Sequence, residues 1–132
     1  MKAITSDWLR SANTDLETIN EIIDNMNLTA IVAFHAQQCV EKCLKAFLEE
    51  FDIEVKKTHN LLVLKSATEI QNSFNIDEDM LSLLNKLYID SRYPGAFGLL
   101  PTGAPTLEEA RGFAEFAKAT MAKILKEVNA CP

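Results

Sequence analysis

Helix breakers, cysteine and arginine are all scarce in this chain of 132 residues. It has four glycines and four prolines, and three of the prolines fall between 94 and 105. The rest of the chain is therefore free of strong breakers, as a helical protein requires. Three cysteines, Cys39, Cys43 and Cys131, are too few and too oddly spaced for a disulfide framework. Cys39 and Cys43 stand one helical turn apart and read as small core residues. No apolar run approaches the roughly 18 residues of a membrane span, and residues 1–10 lack a charged-then-apolar signal layout. The expectation is a cytoplasmic protein with no membrane association. A net charge of −6 disfavours phosphate tracking by bulk charge, though it leaves a local basic site open.

What is present is ordinary for a soluble globular protein: 48% apolar and 24% charged residues, with a length that suits one domain over 1–132. Trp8, Ala12, Leu16, Ile19 and Ile23 recur at helical spacing after Ser6, a fair N-cap, and predict a first helix to about Asn25. An uninterrupted second helix follows from Leu28 to Phe51. Steps of 100° place Ala33, Val40, Leu44, Phe47 and Phe51 on one arc. His35, Gln38, Glu41, Lys42, Lys45 and Glu49 form a polar stripe, and Val32, Ala36, Cys39, Cys43 and Ala46 a compact third arc. So wide an apolar surface marks a helix central to a bundle or lying at a subunit contact, and it predicts a homodimer, with the last helix as the other contact.

Thr58 or Asn60 can cap a short helix built on Leu61, Leu64, Ala67 and Ile70. Asp77 caps the next, which carries Met80, Leu81, Leu84, Leu87 and Tyr88. That helix must stop near Arg92, because Pro94 disfavours a helical Tyr93. Residues 94–105 form one long irregular segment, expected to be mobile and a candidate lid. Thr106 and Glu109 make a capping box for a last helix with Ala110, Phe113, Ala117, Met121, Ile124 and Val128 on its apolar stripe. The prediction is all-α, an up-and-down bundle of four or five helices.

Three strings carry a family resemblance. Phe34-His35-Ala36-Gln37-Gln38-Cys39-Val40-Glu41-Lys42 resembles the second-helix signature of the HEPN superfamily, in the subgroup with a Phe-His-Ala-Gln-Gln core. Thr58-His59-Asn60-Leu61 and Ser91-Arg92-Tyr93-Pro94 match the two segments that follow it, in the same order and spacing. Cys39 stands where alanine is more usual. The resemblance implies an up-and-down helical bundle, commonly homodimeric, associated with nucleotides or RNA and often encoded beside a small nucleotidyltransferase, with a toxin–antitoxin context open. Some members are ribonucleases through an Arg followed by four to six residues and a His. Here the three arginines, Arg10, Arg92 and Arg111, have no His in that window; after Arg92 it holds Phe97, Gly98 and Leu99.

The residues themselves leave alternatives. Gln37 falls inside the core arc, where an unpaired amide costs roughly 1–3 kcal/mol, so it needs a defined partner, either a core polar link or a base or sugar. His35 is either a satisfied surface-edge imidazole or a phosphate donor, with Glu41 or Asp90 as possible partners. Arg92 and Tyr93 either finish a helix or capture a phosphate and stack on a base. Lys56, Lys57 and His59 form a small basic cluster near a helix start. His35, Cys39 and Cys43 cannot share one metal, since eight residues on a helix span about 12 Å. The candidate ligand-binding set is thus His35, Gln37, Gln38, Glu41, His59, Arg92 and Tyr93, with no catalytic residue, metal or cofactor assigned. Three functions compete: a non-enzymatic nucleotide- or RNA-binding module serving a nucleotidyltransferase, a divergent ribonuclease using Arg92 with His35 or His59, and a structural dimeric adaptor.

Overall fold

A computed structural model describes residues 1–71, 74–90 and 103–129, with side chains at 89 and 90 set aside. Among these residues the chain forms five helices and no strand: α1 (Ala3–Ile22), α2 (Thr29–Glu50), α3 (Leu61–Thr68), α4 (Glu78–Asp90) and α5 (Leu107–Asn129). The helix α2 is the axis of the bundle and packs against each of the other four. Its compact arc explains this: Val32, Ala36, Cys39, Cys43 and Ala46 are all buried, and small side chains let neighbouring backbones approach closely. On the larger arc Ala33, Val40, Leu44 and Phe47 are buried, while Phe51 is only half-buried at the helix end. The apolar surface that suggested a subunit contact is covered within one chain. The neighbouring Cys39 thiol and burial together push the Cys43 thiol well above its usual range.

Three helix starts carry local side-chain caps, α2 starts after Leu28 without one, and two sequence expectations are exceptions. Asn60 caps α3 by accepting from the backbone N–H groups of Leu62 and Val63 at 3.0 and 3.3 Å. Asp77 does the same for α4 through Asp79 and Met80. The capping box at α5 is reciprocal: the Glu109 amide donates to Thr106 Oγ1 at 3.0 Å and the Thr106 amide to Glu109 Oε1 at 2.9 Å. The first exception is Ser6, which lies inside α1, with Lys2 at the cap position. A tertiary contact replaces the local cap: the Lys2 amide and Thr5 Oγ1 both donate to Glu50 Oε1, at 3.0 and 2.9 Å. The second exception is Ile70, which lies beyond the end of α3 and is 79% exposed rather than in the core.

The end of α2 is closed by Asp52 in the left-handed region (φ 56°), with Ile53 N–H donating to the Leu48 carbonyl at 2.9 Å and Asp52 N–H to Glu49 at 3.3 Å. This is the six-to-one and five-to-two pattern that satisfies terminal carbonyls. Lys2 Nζ pairs with the Asp52 carboxylate and so ties the start of α1 to the end of α2. Of the irregular segment 94–105, residues 94–102 lie outside the described residues, as do Arg92, Tyr93 and Cys131, and the expected mobility and lid fall there. No described helix is long and apolar enough to cross a membrane.

Candidate functional site

The polar stripe of α2 is not a uniformly solvated face. Glu41 and Lys45 are buried, while Phe34, His35, Gln38 and Lys42 are half-buried and Ile31 is exposed. Ile31, the adjacent pair Phe34 and His35, Gln38 and Lys42 are spaced three or four residues apart, so they form one continuous open strip along the central helix. Each side of the strip is built around a buried carboxylate.

On one side Asp15 reaches across from α1. Its two oxygens are divided between His35 Nδ1 at 2.9 Å and Lys42 Nζ at 2.8 Å. The partner of His35 is therefore Asp15 rather than Glu41. Asp15 was missed in the sequence, although a signal was there: it stands three residues after Ala12 and four before Ile19, on the apolar stripe of α1. A carboxylate at such a position must find cations, because an unpaired charge is costly to bury.

On the other side Glu41 gathers three donors. Lys45 Nζ lies 3.0 Å from Oε2, while His59 Nδ1 at 2.9 Å and Gln37 Nε2 at 3.2 Å share Oε1. Lys45, one turn on in the favourable Glu-to-Lys order, also sits 5.5 Å from the centre of the Trp8 ring. Gln37 is fully buried and satisfied. Its amide nitrogen also donates to the His59 carbonyl at 3.0 Å, and its oxygen accepts from Gln38 Nε2 at 2.7 Å. The segment carrying His59 is held further by α4, where Asn85 Oδ1 accepts from Leu61 N–H at 2.8 Å and Asn85 Nδ2 donates to the Asn60 side chain.

The two histidines bracket an aromatic pair. Phe34 and Tyr88 stack at 5.7 Å and 22°; His35 meets Phe34 edge-on at 5.4 Å, and His59 lies 5.1 Å from Tyr88. A carboxylate can only accept, so both rings donate through Nδ1 and keep Nε2 as their second hydrogen-bonding atom. Each carboxylate, lysine and imidazole group is electrically neutral until the imidazole is protonated, and then carries one positive charge. The burial is graded: the Asp15 and Glu41 side chains are 8% and 6% exposed, those of His35 and His59 24% and 50%.

Of the predicted residues, Gln37, Gln38, Glu41 and His59 meet in one hydrogen-bonded network, and His35 stands in the second group across the strip. Arg92 and Tyr93 lie outside the described residues. Lys56 and Lys57 are exposed and make no ion pair within 4 Å among the described residues. No group of three metal-ligating side chains occurs among the described residues. A hydrophobic groove of about 600 Å³ lies elsewhere, between Ile53 and the outer side of α3 at Leu62, Val63 and Ala67.

The crystal structure of an archaeal HEPN homologue superimposes with a TM-score of 0.66 at 24% identity, covering 97% of this chain and 99% of that one. This likeness speaks for the fold. No curated protein matches in sequence. The model of the HEPN domain matches residues 5–130, from the first turn of α1 to the end of α5, and the chain belongs to that family.

Proposed function

We propose that the chain is a non-enzymatic HEPN module that binds a nucleotide or RNA and serves a small partner nucleotidyltransferase, in a setting open to a toxin–antitoxin pair. The observation that carries the binding half is the open strip of α2, where Gln38 and two imidazoles held by buried carboxylates surround the half-buried Phe34, itself stacked on the buried Tyr88 of α4. Such a surface joins stacking area with hydrogen-bonding groups that are already oriented, so little freedom is lost on binding. In this reading His35, Gln38 and His59 touch the ligand, while Gln37 and Glu41 hold Gln38 and His59 in place and Asp15 holds His35. Arg92 follows Tyr88 by four residues in the chain and supplies a two-pronged phosphate donor, with Tyr93 available to stack on a base. The partner enzyme is implied by family resemblance alone, and a small nucleotidyltransferase in the neighbouring reading frame would support it.

One observation favours a second reading, a divergent ribonuclease. An imidazole whose Nδ1 donates to a carboxylate keeps an Nε2 that can take a proton. The absent Arg-to-His spacing weighs against it, and direct assay separates the two. The parent chain is expected to bind common nucleotides or short mixed RNA saturably without cleaving RNA, and Arg92→Ala and His59→Ala to weaken that binding. RNA cleavage abolished by both Arg92→Ala and His35→Ala would establish the ribonuclease instead. Absence of any binding would leave the structural adaptor.

A further inference from the structure

Exposed apolar side chains are ordinary when scattered and carry meaning when they line one hollow. Among the described residues the large apolar side chains left most open are Met1, Ile4, Met26, Ile31, Val63 and Ile70, and none lies on α5. Val63 and Ile70 both line the groove of about 600 Å³ on the outer side of α3, together with Ser66 and Ala67. The bonds that close α3 explain why Ile70 joins this face. The N–H groups of Glu69, Ile70 and Gln71 donate three residues back, to Ser66, Ala67 and Thr68, at 3.2, 3.4 and 3.1 Å. So tight a turn sets side chains three residues apart above one another, and Ile70 follows Ala67 on the side of Val63.

This face is self-complementary. Val63 and Ile70, like Ser66 and Ala67 between them, are symmetric about one point in the sequence. A second α3 laid antiparallel across that point sets Val63 of each copy against Ile70 of the other, with the small Ser66 and Ala67 at the crossing. The rim has the same property. Glu54 and Lys56 line the groove, are exposed, and carry opposite charges that no side-chain ion pair or hydrogen bond engages among the described residues. A foreign partner of one charge would be drawn by one of the two and repelled by the other. A twofold contact answers both at once, Glu54 of each copy against Lys56 of the other. We propose that this groove is where two copies of the chain meet, α3 against α3. Because α3 is only about 12 Å long, the contact lies at the small, reversible end of protein interfaces.

The test is sedimentation equilibrium of the full chain and its variants across the micromolar range. The parent should dimerise. Ile70→Glu, at a position 79% exposed, should weaken the dimer at least about tenfold and leave the melting midpoint of the protomer unchanged. Glu54→Lys and Lys56→Glu should each weaken it about fivefold, since each sets like charges together twice in the dimer. Combining the two exchanges restores the opposite pairing and should recover the parent affinity to within about twofold. A dimer that Ile70→Glu leaves unchanged lies on another face and overturns the proposal, as does a combined variant no tighter than the single ones. A parent that stays monomeric leaves the groove to another occupant and overturns it too. Should Ile70→Glu fail to fold, the exchange at the two exposed rim positions still decides.

Discussion

Glu41 is the residue on which the open strip depends. Its carboxylate is buried and holds Lys45, His59 and Gln37 at once, so truncation would leave a buried cation and an amide donor without an acceptor. Glu41→Ala should cost about 3–5 kcal/mol in urea unfolding. Replacing both charges with apolar residues, as in Glu41→Leu with Lys45→Met, should recover most of that loss, because the penalty lies in the unpaired charge. If the double variant proved as unstable as the single one, the stability would reside in something other than the pair. The sequence marked Gln37, Glu41 and His59 through their motif and placed Gln37 in the core. It did not reveal that Lys45 is buried, since an i,i+4 Glu–Lys pair is as suitable for a solvated face as for a covered one. The pairing of His35 was also hidden. Twenty residues separate it from Asp15, and only the packing of α1 on α2 brings them together.

The elements themselves were more legible, because caps and breakers act within a few residues. Asn60, Asp77 and the Thr106–Glu109 box sit where side-chain chemistry expects them. Thr106→Ala should lower stability by about 1 kcal/mol, read as a fall in the urea midpoint, and an unchanged midpoint would mean that packing alone fixes the start of α5. The start of α1 was misplaced for a physical reason: its first turn is held by Glu50, 48 residues away from Lys2. The Lys2 amide, and to a lesser extent the Thr5 hydroxyl, hold the Glu50 carboxyl below its usual range. A carboxyl lowered in the folded state adds stability above its unfolded value of about 4.3, and that stability is lost as pH falls through the folded value. The gap in urea midpoint between the parent and Glu50→Gln should therefore be constant above about pH 5.5 and close as the pH falls below about 4. A gap that persisted in acid would assign the effect to shape rather than charge.

For the whole molecule, the central position of α2 changes what a dimer can be. Its wide apolar surface first suggested that a second subunit was needed to cover it, yet α1, α3, α4 and α5 of the same chain do so. Among the described residues the core that results runs from Leu9 to Val128 and is buried within one chain. Obligate dimers lack a stable folded monomer because part of their core is supplied in trans. The described residues show no such deficit, so association and folding should be separate events. The expectation is a homodimer at micromolar concentration, twofold symmetric as most small oligomers are, which dilution converts to a folded monomer. Sedimentation should show the mass halving over a dilution series, while circular dichroism at the lowest concentration retains its helical signal and the melting midpoint moves little. A core truncation such as Leu44→Ala should lower stability by about 2–5 kcal/mol and leave the dimer mass intact at temperatures where the variant is folded. A monomer throughout the micromolar range would remove the dimer, and loss of helicity in step with dissociation would show that the protomer needs its partner to fold.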